Sequence, residues 1–128
     1  NIIILGREIE YPSITCLFII DVSGSMNNYY EDILESIKFF EQNLKIKADK
    51  IFFSDTALLN KYYYYSGGGT LFKPVLDLLK KLNKKYDYVF VFSDYQMFDL
   101  TLDNIKKLLK KYAKKIILFN EKLEKIWE

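Results

Sequence analysis

Residues 15–26 read Thr15-Cys16-Leu17-Phe18-Ile19-Ile20-Asp21-Val22-Ser23-Gly24-Ser25-Met26, and this stretch decides the fold. Its first half is a continuous apolar run, short and rich in β-branched and aromatic residues, that ends at a carboxylate. Such a run, with no polar alternation, describes a strand buried on both faces. The second half is a loop of small residues. Asp21, Ser23 and Ser25 alternate, so an extended turn sends their side chains the same way, and Gly24 lets the backbone bend tightly between them.

Working outward, Ile33, Leu34, Ile37, Phe40 and Leu44 recur at helical spacing over 30–44. A second strand over 48–54 carries Ile51, Phe52 and Phe53. After a turn at Asp55-Thr56, a third extended piece from 57 to about 65 is expected to pair with it as a hairpin. Ser66-Gly67-Gly68-Gly69-Thr70 is a flexible loop. Pro74 suits the first turn of the next helix, whose core stripe is Val75, Leu78, Leu79 and Leu82.

The run Tyr88-Val89-Phe90-Val91-Phe92 is another buried strand, and it too ends in a small residue and a carboxylate, Ser93-Asp94. A helix over 101–112 turns Leu102, Ile105, Leu108, Leu109 and Tyr112 inward. A strand over 116–119 and a short closing helix over 121–127 complete the chain. Apolar strands alternating with amphipathic helices imply an α/β fold. The expected architecture is a Rossmann-like open, mostly parallel sheet with one antiparallel edge strand and helices on both faces. With no linker and no internal repeat, residues 1–128 form one domain.

Composition narrows the chemistry. The chain has no histidine and one cysteine, Cys16, which excludes His-based triads, an internal disulfide and a thiolate metal site. A metal bound here must be held by oxygen, which points to Mg²⁺, Mn²⁺ or Ca²⁺. The net charge of +2 is too small to imply nucleic acid by itself. Apolar runs such as Leu17 to Ile20 fall far short of the roughly 20 residues that span a bilayer, so no membrane partner is expected. The opening residues lack the basic flank and cleavage pattern of a secretory signal, and a cytoplasmic location is expected.

Three segments bring oxygen ligands to strand ends, where ligands bind in open parallel sheets. Asp21, Ser23 and Ser25 follow the first buried strand, Thr70 follows the glycine loop, and Asp94 follows the 88–92 strand. Adjacent strand ends lie about 5 Å apart, so neighbouring loops can share one ion.

Asp21-Val22-Ser23-Gly24-Ser25-Met26, then Gly67-Gly68-Gly69-Thr70, then an apolar strand with Ser93-Asp94, resembles the metal-ion-dependent adhesion site of von Willebrand factor type A domains. The likeness runs through nearly the whole chain in the family's order. It is closest to prokaryotic members, some of which accompany MoxR-type AAA+ ATPases. The resemblance implies that the Ser23, Ser25 and Thr70 hydroxyls touch a divalent metal while Asp21 and Asp94 act partly through water. It also implies that a protein partner's Asp or Glu completes the ion's shell, a MoxR-type ATPase being one candidate. The chain departs from the family in being short enough for the usual sixth strand to be missing. It departs again at Tyr95, where many relatives have glycine.

Other readings of the same residues remain open. Asp21 at a strand end also fits a phosphatase-like hydrolase of the haloacid-dehalogenase kind, but that chemistry needs an acid two residues on, where Ser23 stands. No P-loop occurs, because there is no Gly-Lys-Ser/Thr, and no catalytic residue is assigned. Ser23 and Ser25 could simply cap the following helix.

Lysines at 80, 81, 84, 85, 106, 107, 110, 111, 114 and 115 read mainly as solvated helix faces, with a nucleic-acid or acidic partner as the alternative. Aromatics flank all three loops. Tyr29, Tyr30, Tyr64, Tyr65, Tyr95 and Phe98 form the candidate partner surface, although periodicity turns some of them inward. Cys16 reads as a small core residue, and Glu8, Glu10 and Asp99 have no constellation around them.

Overall fold

The alternation within β3 (Cys16–Asp21) sorts the core into two layers. The computed structural model describes residues 2–4, 7–9, 14–44, 46, 48–62 and 69–128, with backbone alone for 2–4 and 7–9. Successive side chains of a strand point to opposite faces. Leu17 and Ile19 join one buried cluster, with Val75 and Leu79 of α2 (Lys73–Leu82) and Ile105 and Leu109 of α3 (Leu102–Leu109). Cys16, Phe18 and Ile20 join another, with Ile33 and Ile37 of α1 (Tyr30–Leu44). Burying each such aliphatic side chain is worth about 1.5–3 kcal/mol, so this one strand ties both layers together.

The main sheet has six strands in the order β5-β4-β3-β6-β7-β8. β4 (Asp49–Phe53), β3, β6 (Tyr86–Phe92) and β7 (Ala113–Phe119) run parallel. β5 (Ala57–Leu59) pairs antiparallel with β4 as the hairpin and antiparallel edge the sequence suggests, but the strand stops at Leu59 and the expected stretch over 63–65 lies outside the described residues. A separate antiparallel pair, β1 (Ile2–Ile4) with β2 (Arg7–Ile9), has no counterpart in the sequence reading. No helix among the described residues is long and apolar enough to cross a membrane.

The chain end differs from expectation. Instead of a closing helix, β8 (Lys125–Trp127) lies antiparallel on β7, pairing Leu118 with Trp127, and makes a second antiparallel edge. It supplies a sixth strand. Asn120 closes the turn that brings β8 back onto the edge of β7, its side-chain oxygen accepting from the N–H groups of Lys122 (3.0 Å) and Glu124 (2.9 Å). A turn closed by its own Asn competes with helix nucleation, and so short a helix is marginal in any case. Two expected core positions also face solvent, Leu44 (54% exposed) and Leu108 (41%). Leu44 is the last residue of α1, and Leu108 lies roughly 100° around the helix from Leu109.

From β3 the chain moves one way to β4, then returns past β3 to reach β6. The carboxyl ends of β3 and β6 therefore flank the point where strand order reverses, which is where an open α/β sheet leaves a crevice.

Candidate metal centre

Ile20 pairs with Phe92 across the β3–β6 ladder, so the next residues, Asp21 and Ser93, meet at the crevice. Asp21 is fully buried. Its Oδ1 accepts from Ser23 N at 2.9 Å and Ser23 Oγ at 2.5 Å, and its Oδ2 accepts from Ser93 Oγ at 2.6 Å. Ser23 Oγ also lies 2.6 Å from Thr70 Oγ1. A hydroxyl has one proton, and Ser23 gives its own to Asp21, so Thr70 is the donor in that contact. The protons all run toward one carboxylate, which leaves hydroxyl lone pairs on Ser23 and Thr70 beside it.

Thr70 is fixed from two sides. The following N–H, of Leu71, donates to Ser54 O at 2.8 Å beyond the end of β4, while Thr70 O accepts from Phe98 N at 3.0 Å. Gly69 lets the Phe98 ring lie against the backbone, because a Cβ there would come 2.5 Å from that ring and push it aside. The same loop is anchored by Asp99, whose carboxylate accepts from Phe72 N (2.9 Å) and Lys73 N (2.8 Å) at the start of α2. A negative group at a helix N-terminus meets unpaired N–H groups and the positive end of the helix dipole. Asp99 thus has the constellation that the sequence did not reveal.

Of the expected ligands, Asp21, Ser23 and Thr70 are brought into one hydrogen-bonded cluster. Asp94 is half-buried and accepts from Gln96 N at 3.1 Å, and its charge reaches Asp21. Ser25 sits exposed in a single 3-10 turn, Gly24–Met26, outside that cluster. Ser23 begins this turn but makes no side-chain cap, so its hydroxyl serves Asp21 instead. The cluster member the sequence did not single out is Ser93, visible beforehand only as the small residue between a strand and Asp94.

The electrostatics of the cluster are one-sided. Burial raises the Asp21 pKa above the usual carboxylate range and the Asp94 charge adds to this, while hydrogen bonds from Ser23 and Ser93 pull it down. No lysine or arginine among the described residues pairs with Asp21. No buried side-chain polar atom among the described residues lacks a hydrogen-bond partner. Positive charge is what the cluster lacks, and an all-oxygen donor set fits a hard cation.

Of the candidate partner residues, Tyr64 and Tyr65 lie outside the described residues. Phe98 is 79% exposed and Tyr29 half-buried. Tyr30 is turned inward, with its hydroxyl donating to Val22 O at 3.2 Å and its ring edge-on to Tyr62. Tyr95 is half-buried, and its hydroxyl donates to Phe119 O at 2.8 Å. It adopts φ 59°, a left-handed conformation that explains why glycine suits this position. Its ring packs on the core, and that anchorage holds the residue in the unfavourable region.

Neither a family model nor a curated protein sequence matches the chain.

Proposed function

We propose that the chain is a von Willebrand factor A-like domain, with α1 covering one face of its sheet and α2 and α3 the other. In this reading it works in the cytoplasm as a metal-dependent protein-interaction module. Ser23, Ser25 and Thr70 hydroxyls, with Asp21 and Asp94, would hold Mg²⁺, or Mn²⁺ or Ca²⁺. The ion would supply a Lewis-acidic position that a partner's Asp or Glu can occupy. The observation that carries this is the buried cluster of Asp21, Ser23, Ser93 and Thr70 at the reversal point of the sheet, an all-oxygen group whose carboxylate pairs with no lysine or arginine among the described residues.

The chain's own residues then have distinct tasks. Ser93 and the Ser23 N–H orient Asp21, Asp99 and Gly69 set the height of the Thr70 loop, and exposed Phe98 with Tyr29 offers apolar area beside the site. A MoxR-type AAA+ ATPase, for which the chain would act as an adaptor, is the partner class we favour. Hydrolysis is not part of the proposal, since the position two residues after Asp21 is a serine already bonded to it. The competing nucleic-acid reading draws on one feature, a cleft of about 300 Å³ lined by Lys80, Lys84, Lys85 and Lys111.

Isothermal titration with Mg²⁺ and Mn²⁺ tests the site: one binding event is expected, lost in Asp21→Ala and weakened in Thr70→Ala and Asp94→Ala. Binding undiminished in all three variants refutes the assignment. Phosphatase turnover that vanishes in Asp21→Asn would move the chain to the hydrolase class, and DNA or RNA binding with a steep salt dependence would favour the lysine cleft.

A further inference from the structure

β6 and β7 are covered unequally. On the side of α2 and α3, Val89, Val91, Ile116 and Leu118 are all buried to 5% exposure or less. On the α1 side, Tyr88, Phe90, Ile117 and Phe119 remain half-open. The connectivity accounts for this: among the described residues α1 is the one α-helix that contributes to the second cluster, and after β7 the chain turns straight back into β8.

What remains is a flat aromatic floor. Phe92 stacks on Phe119 at 5.0 Å and 7°, Phe90 stacks on Phe119 at 6.5 Å, and Phe18 stacks on Phe90 at 5.1 Å. This floor, with Ile37 and Phe40 of α1 on one side and Leu123 on the other, encloses a groove of about 290 Å³. Beyond it, Phe39 on α1 is 68% exposed, and Ile126 on β8 is 42% exposed. Ile126 alternates with Trp127, which packs into the other layer, so it extends the same open face.

We infer that this groove docks a helix from a partner protein, one whose apolar stripe is flanked by Lys or Arg. The inference does not rest on the metal site. The half-open part of the floor is β6 and β7, and two strands about 4.8 Å apart make it roughly 10 Å wide, enough to seat the apolar stripe of a helix about 10–12 Å across. Charge selects the helix. Asp32 and Glu35 lie outside the aromatic groove itself and line the adjoining hollow with Phe39, and groove and hollow meet at Ser36 and Leu123. Neither carboxylate is in an ion pair among the described residues.

A second copy of the chain fits poorly. A two-fold interface sets the same patch against itself and brings these carboxylates together. The chain's own lysine-bearing helices offer no stripe either, because Val75, Leu79, Ile105 and Leu109 are already buried.

The probe is a leucine–lysine peptide with helical apolar spacing, compared with a leucine–glutamate peptide of the same pattern, using calorimetry and amide chemical shifts. Saturable binding of the lysine peptide is expected, with shifts at Phe90 and Phe119. Reversing two exposed charges in an Asp32→Lys, Glu35→Lys double variant should weaken it about tenfold, with the fold intact and the Mg²⁺ titration unchanged, although placing Lys in the first turn of α1 lowers the melting temperature by a few degrees. Phe39→Ser should weaken it as well. Equal binding of both peptides, or shifts centred on α2 and α3, overturns the inference. Concentration-dependent dimerisation that shifts the groove resonances also overturns it, in favour of a second copy.

Discussion

Asp21→Asn separates the carboxylate's charge from its shape. The amide keeps Oδ1 as acceptor for Ser23 N and Ser23 Oγ, and places a donor where Oδ2 now accepts from Ser93 Oγ at 2.6 Å. Ser93 Oγ already accepts from Tyr95 N at 2.9 Å. A hydroxyl oxygen accepts two bonds, so it can take the new donor after a shift of a few tenths of an ångström, towards the usual range of about 2.7–3.2 Å, while its own proton, which an amide nitrogen does not accept, must turn to another acceptor at a cost of about 1 kcal/mol. Losing charge-assisted hydrogen bonds costs about 1 kcal/mol relative to neutral ones, and no longer burying an unpaired charge offsets that loss.

Without metal, the variant should therefore melt within a few degrees of the parent. With Mg²⁺ at about 100 times its dissociation constant, the parent should gain about 2.7 kcal/mol. An unfolding entropy of about 2.1 cal/mol/K per residue, over 128 residues, converts this into a rise of roughly 10 °C. The variant should gain nothing. Calorimetric melts of both proteins in chelator and in Mg²⁺ give the four numbers needed. An equal Mg²⁺-induced rise in parent and variant would refute the role given to Asp21, and a variant that is severely destabilised in chelator would refute the reasoning about its hydrogen bonds.

Asp99→Ala should lower stability by about 0.5–2 kcal/mol in urea titrations by uncapping α2, and should loosen the Thr70 loop, seen as faster amide exchange at Leu71 and Phe98. Asp87 accepts from Thr15 N at 2.9 Å and pairs with Lys114 at 3.2 Å, and these contacts hold its pKa below the usual value. A depressed carboxylate stabilises the fold above its unfolded pKa, about 4, and that contribution is lost as pH falls through the lower folded value. Asp87→Asn should thus be less stable than the parent at neutral pH, with the gap closing in acid. Gly69→Ala should displace the exposed Phe98 ring with a small change in melting temperature, and paired spectra would show shifts confined to residues around 69–71 and 94–99.

The sequence by itself determined the parallel core and the order of its parts. Unbroken apolar runs at Leu17–Ile20 and 88–92 read as buried strands, which holds on both faces for β3 but on one face only for β6, where Tyr88 and Phe90 stay half-open, and the spacing of Ile33, Ile37, Val75, Leu79, Ile105 and Leu109 is local information that a helix must obey. Asp21 and Ser23 were legible as members of the buried cluster because they sit where a strand ends, and Thr70 because it closes a glycine-rich loop.

What only the tertiary structure decided are relations between residues distant in sequence. Ser93 reaches Asp21 across 72 positions, and Asp99 caps a helix that begins 26 positions earlier. Whether Tyr30 and Tyr95 face a partner or the interior depends on which carbonyl their hydroxyls meet, and no periodicity records that. The fate of residues 125–127 was settled by the free edge of β7, whose unpaired N–H and C=O groups gain more from a strand than a short isolated helix gains from itself.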